Sequence, residues 1–305
     1  MTRSRILSLL LCLTVIAGVV VATPAPSALG GTSPWRWQNP MPNGENLFSV
    51  RLAPGAGSTT AWMVGNYGAL LNSSNNGATW TAKASGTTHD LSGVDLIDDN
   101  TGWAVGAFGT IVKITGGTGS VQAEPTGQHF EDVDVIDATH AWAVGSSGAI
   151  IRTVNGTDWT SVTSPTSEYL TTVQFLNANE GWVAGYGNAL YYTPDAGVTW
   201  RFKGTADVDF HIHDIRVDAD TVWAVGRNSA YEVRVYKATD GKIHTNLPAD
   251  APLYAGIPVP GLNGYPTSMC YLDSTHLWLT SAAGDVVFNN GTGWSSQTVP
   301  YEARW

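Results

Sequence analysis

Few residues in this 305-residue chain have types and spacing suited to chemistry. His211-Ile212-His213-Asp214 is the one stretch with metal-ligand character. On a strand, alternation puts His211 and His213 on one face, as in some zinc sites. No third ligand follows from the sequence, because Glu131 and Asp132 fall in a segment not adjacent to the histidines. The plainer reading is two polar residues at a strand entry, with no metal and no cofactor. A second set appears once the chain is aligned with itself: Arg51, Asp95, Asp134, Gln174, Arg216 and Cys270 occupy one column. Two arginines and two aspartates in equivalent places suggest ion pairs between neighbouring units, such as Arg51 with Asp95. The competing reading of that column is a ligand site.

What must hold these side chains is a repeat. Leu170–Trp200, LTTVQFLNANEGWVAGYGNALYYTPDAGVTW, contains three short apolar runs and the start of a fourth, separated by Gly and Asn. Runs this short, rich in Val, Thr, Tyr, Phe and Trp, are strands. The second strand of each unit carries one tryptophan: Trp62, Trp103, Trp142, Trp182, Trp223 and Trp278. These recur about every 40 residues, the period of a four-stranded propeller blade. The last interval is longer because Ala249–Tyr265, rich in Pro and Gly, is inserted between units five and six. One such unit cannot cover both of its apolar faces, whereas radial stacking covers each with the next. The sequence therefore predicts an all-β fold, a single six-bladed propeller over residues 35–305. First strands would line its axis and the indoles would fill the gaps between blades. A seventh blade is available if Trp35–Gln38 and Ala249–Tyr265 together complete one.

The turn between the third and fourth strands of unit four reads Thr193-Pro194-Asp195-Ala196-Gly197-Val198-Thr199-Trp200, a full S/T-x-D-x-G-x-T-W Asp-box. Unit one has Ser73, Asn75, Gly77 and Trp80 in the same places. The amide or carboxylate can bond nearby backbone N–H groups, Gly supplies positive φ, and Trp packs the turn on its blade. Together with the V-x-Φ and G-W-x-x-G-x-x-G patterns, the chain resembles the Asp-box (bacterial neuraminidase repeat) superfamily. It looks most like the Ycf48/Hcf136-type propellers known for assisting photosystem II assembly. That resemblance covers about Trp35 to Val299 and implies a seven-bladed, basic-surfaced assembly factor. This chain departs on both counts, with six units and net charge −10.

Sialidases share the six-bladed Asp-box propeller, so a sialidase-like glycoside hydrolase or sugar-binding propeller is the alternative. That chemistry needs three arginines on a carboxylate, a Tyr–Glu pair and an early Asp. No Asp precedes Asp90, and Tyr191-Tyr192 sit in a repeated strand position. The abundant tryptophans do not argue for sugar stacking, because most have a place in the repeat. The expected function is a non-catalytic protein-interaction or assembly scaffold with a protein or glycan partner. The acidic balance argues against nucleic acid.

Residues 1–22 read as a secretory signal: Arg3 and Arg5, an apolar Ile6–Val21, then Ala22. Cleavage after Ala22 or Ala28 would export the chain to the periplasm, cell surface or medium, with residues 23–34 as a flexible lead and no remaining membrane span. One cysteine, Cys270, then remains, and no internal disulfide is expected.

Overall fold

The computed structural model describes residues 46–55, 57–123, 125–204, 209–217, 221–238, 257–262, 265–273, 276–283, 285–290 and 293–297. The signal and lead (1–34), Trp35–Gln38 and much of the 249–265 insert lie outside the described residues. Blade one is β1 (Leu47–Leu52), β2 (Ala61–Gly65), β3 (Leu70–Ser73) and β4 (Thr81–Ala82). Blade two is β5 (Leu91–Asp98), β6 (Thr101–Gly106), β7 (Ile111–Thr115) and β8 (Thr118–Gln122). Blade three is β9 (Phe130–Val135), β10 (Ala141–Gly145), β11 (Ile150–Thr153) and β12 (Trp159–Ser161). Blade four is β13 (Leu170–Phe175), β14 (Gly181–Gly185), β15 (Leu190–Thr193) and β16 (Arg201–Phe202). Blade five is β17 (His211–Val217), β18 (Val222–Arg227), β19 (Val233–Ala238) and β20 (Ile257–Pro258). Blade six is β21 (Pro266–Asp273), β22 (His276–Ser281), β23 (Val286–Asn290) and β24 (Trp294–Gln297).

Each sheet is an antiparallel meander in sequence order, and the six stand in a ring. One boundary differs from the sequence expectation. The fourth strand of blade five, Ile257–Pro258, comes from within the inserted stretch and pairs with Arg234 and Val235. Val259 and Leu262 just after it are buried between blades five and six. The insert is thus partly core, and the described residues hold six blades rather than seven. None of their helices is long and apolar enough to cross a membrane.

Strand alternation turns each blade's indole toward the next blade. Trp62 shares a buried cluster with Val94 and Val112 of blade two. Trp103 meets Phe130 and Val133 of blade three, and Trp142 meets Leu170 and Phe175 of blade four. Trp182 meets Phe210 and Ile215 of blade five, and Trp223 meets Met269 and Leu279 of blade six. All five are buried, none more than 7% exposed. The sixth joint differs. Trp278 is only half-buried, stacked on Phe288 of its own blade at 4.5 Å. The facing cluster of blade one, Met63 and Leu71 with Leu47, Val50 and Trp80, contains no residue from blade six. Five joints are packed; between blades six and one the described residues share no such cluster.

Candidate functional site

In a four-stranded meander the turn from second to third strand and the entry to the first strand lie at the same end. A close contact welds them here. A Cβ at Gly106 would sit 1.9 Å from the Asp90 carbonyl oxygen, so only glycine fits. The next N–H, of Ala107, donates to that same carbonyl at 2.9 Å. Gly65, Gly145, Gly185 and Gly226 meet the residue ahead of, or opening, their own first strand in the same way.

The end so built carries aromatic residues. Tyr67 and Phe108 stand at the turns of blades one and two, 70% and 73% exposed. Both are left-handed, at φ 54° and 56°. Bulky side chains rarely adopt that conformation, and strain of this kind gathers at functional sites. His89 packs on Phe108 with ring centroids 5.1 Å apart. Tyr231 and Tyr265, also exposed, continue the crown over blades five and six.

Between blades three and six the crown deepens into a chain of rings. His129 stacks on Tyr169, Tyr169 lies 5.4 Å from Tyr186, and Tyr186 meets both His211 and His213 edge-on. His213 then stacks on Tyr265, and Tyr265 lies beside Tyr231. Arg227 sits over Tyr231 and Tyr265, at 4.5 and 4.1 Å. Glu131 accepts from Tyr169 Oη at 2.5 Å and lies 3.0 Å from His129 Nε2. Burial works against ionising Glu131, but the His129 and Tyr169 bonds prevail and hold it below the usual carboxylate range. Burial, and then Glu131, push the Tyr169 phenol upward. His213 is lowered to about 4, by burial first and then by Arg227 and His211.

His211 and His213, read from sequence as polar strand-entry residues with a metal pair as the alternative, thus face tyrosines. No group of three or more metal-ligating side chains exists among the described residues. The Tyr169–Glu131 pair was missed because its members are distant in sequence and belong to different blades. Although sialidase chemistry uses such a pair, a phenol held protonated is a poor nucleophile. Among the described residues one arginine, Arg227, stands beside this cluster.

The axial column works differently. Each member lies opposite a blade tryptophan in the first-to-second-strand register: Arg51 with Trp62, Asp95 with Trp103, Asp134 with Trp142, Gln174 with Trp182, Arg216 with Trp223, and Cys270 with Trp278. Four of these side chains, Arg51, Asp95, Asp134 and Gln174, reach the next blade, whereas Arg216 bonds within its own strand. Asp95 Oδ2 accepts from Val135 N at 2.8 Å, Asp134 Oδ2 from Phe175 N at 2.7 Å, and Gln174 Oε1 from Val217 N at 2.8 Å. Arg51 Nε lies 3.5 Å from Asp95 Oδ1, and Arg216 donates to Asp214 Oδ1 at 2.7 Å. Asp132 joins this centre, accepting from Val173 N; burial raises it to about 6 although Arg51 opposes the shift. The column is a set of ties between blades.

The Asp-boxes lie at the opposite end. Thr193 Oγ1 accepts from Gly197 N, and Asp195 accepts from Thr199 N and Oγ1, each at 2.7 Å. In blade one Ser73 Oγ accepts from Gly77 N, and Asn75 Oδ1 from Thr79 N, both at 2.9 Å. Trp80 and Trp200 cover the glycines of their boxes.

Residues 119–201 and 153–253 match the family model described as photosynthesis system II assembly factor YCF48. Among solved structures, YCF48 from Cyanidioschyzon merolae aligns with TM-score 0.64 and 18% identity, over 85% of this chain and 87% of that one. A structure titled "YCF48 bound to D1 peptide" aligns with TM-score 0.62 and 14% identity, over 83% and 82%. No curated protein sequence matches the chain. Residues 119–253 are thus similar to the YCF48 assembly-factor family, and the whole chain shares the β-propeller fold of these structures.

Proposed function

We propose that this chain is an exported, non-catalytic assembly scaffold that holds a polypeptide partner on its aromatic crown. The observation that carries this reading is the pair of exposed, left-handed aromatics, Tyr67 and Phe108, continued by Tyr231 and Tyr265 at the same end. Aromatic side chains are favoured in protein interfaces because they cover much area with few rotatable bonds. Two further points support it: the fold is shared with a structure of YCF48 bound to D1 peptide, and burial and Glu131 favour the protonated Tyr169 phenol. Export rests on residues 1–22. A catalytic glycosidase reading would need converging arginines, and none joins Arg227 at the cluster.

A photo-crosslinking residue at position 67, 108 or 231, with one at exposed Val198 on the opposite end as control, tests this. Cross-links to one polypeptide from the crown positions alone are expected. Equal labelling from position 198, or glycoside turnover abolished by Glu131→Gln, would defeat it.

A further inference from the structure

Arg227 ends β18, its backbone paired with His211 and Val233. Its guanidinium lies in the corner made by two phenol rings, 4.5 Å over Tyr231 and 4.1 Å over Tyr265, whose centroids are 6.3 Å apart. Among the described residues nothing accepts a hydrogen bond from Arg227, and its Nε is buried without a partner. Two neighbours share that condition: His211 Nδ1 and His213 Nε2 are also buried and unpartnered. Native proteins rarely leave buried polar atoms unmatched, and three lie close together here. Glu131, the nearby carboxylate, is already engaged by Tyr169 and His129.

A guanidinium fixed by stacking offers a rigid fork that matches a carboxylate. The charged and titratable groups around His213 are Arg227 and His211, which disfavour its protonation, and Glu131, which favours it; Tyr186 and Tyr265 cover its ring. A carboxylate placed on Arg227 would cancel the main cationic opposition and add an attraction for the imidazolium.

We propose that the crevice of Arg227, Tyr231, Tyr265 and His213 is a receptor for a carboxylate of the bound polypeptide, and that its filling draws a solvent proton onto His213. The proposal rests on the protein-binding reading and supplies that reading with a ligand chemistry. A chain terminus and an acidic side chain both offer the group.

The test is an NMR titration of the His213 imidazole in the full chain with three probes. N-acetylglycine carries a terminal carboxylate, N-acetylglutamic acid α-amide a side-chain carboxylate, and N-acetylglycinamide neither. The His213 midpoint should rise by about one pH unit with either acid and stay put with the amide. The tighter of the two acids identifies the source. Arg227→Gln should abolish the effect, and Tyr265→Leu, which removes one wall of the clamp, should weaken it. An amide acting like the acids, or acids acting equally on Arg227→Gln, overturns the proposal. If crown cross-links form while no acid moves His213, the carboxylate receptor falls and the scaffold reading stands. If acids move His213 while crown cross-links are absent, the scaffold reading falls, and with it the polypeptide as source.

Discussion

Asp95 binds three blades at once: Oδ1 faces Arg51 of blade one at 3.5 Å, while Oδ2 accepts from Val135 N of blade three at 2.8 Å. Removing it strands a guanidinium and a backbone donor together. Asp95→Ala should therefore cost about 2–4 kcal/mol, well above the roughly 1 kcal/mol of Arg51→Met. Urea unfolding of the two variants checks the order; equal losses would mean that the axial ties do not hold the ring.

Tyr67 offers the reverse case. Asn tolerates the left-handed conformation that Tyr67 holds at φ 54°. Tyr67→Asn should raise stability by up to about 1 kcal/mol while weakening partner cross-linking at the crown. A destabilised Tyr67→Asn in a thermal melt would show that the ring does more for the fold than for binding.

Two groups should pull the acid response in opposite directions. His213, at about 4 when folded against about 6.5 when unfolded, favours the folded state above that window. Its contribution is lost as pH falls from about 6.5 to about 4. Asp132, raised to about 6 from 3.8, does the opposite: its burden on the fold lightens as pH falls through the same range. His213→Gln should make the protein gain stability on acidification over that range, and Asp132→Asn should make it lose more than wild type. Denaturation midpoints measured across the range give the signs directly.

In the Asp-boxes, Asp195 and Asn75 accept the same backbone bond, but Asn75 Nδ2 donates to Thr79 Oγ1 where Asp195 Oδ2 accepts from Thr199 Oγ1. The threonine hydroxyl simply turns round. Asp195→Asn should thus be nearly neutral at pH 7, whereas Asp195→Ala should cost about 1–2 kcal/mol. Hydrogen bonds from Thr199 and Thr193 overcome burial and hold the Asp195 carboxyl below its usual range. Its stabilisation is therefore present above the unfolded carboxylate range and lost as pH falls through the lower folded value. Asp195→Asn should remove that acid-sensitive part, visible in melts at low pH.

The blades were legible because the signal is periodic: one indole per unit, with glycine three residues on in the first five. Arg51 and Asp95 could be paired because both occur at equivalent places in successive units. The ring-stacked cluster was not legible. Glu131 comes from blade three, Tyr169 and Tyr186 from blade four and Arg227 from blade five, and only the pitch of the ring brings them together. His211 and His213 were noticed as two polar strand-entry residues with a metal pair as the alternative, since spacing alone does not show that imidazoles face tyrosines. The fourth strand of blade five was misplaced because Ile257 and Pro258 follow a long insertion that breaks the period.

The half-buried Trp278 gives the molecule a preferred direction of failure. Where five joints hide their indoles and the sixth does not, cooperative unfolding has a natural starting point. Backbone amides of β1 and β21 should exchange with deuterated solvent before those of β9 and β13, so that the ring opens like a clasp rather than melting evenly around its circumference.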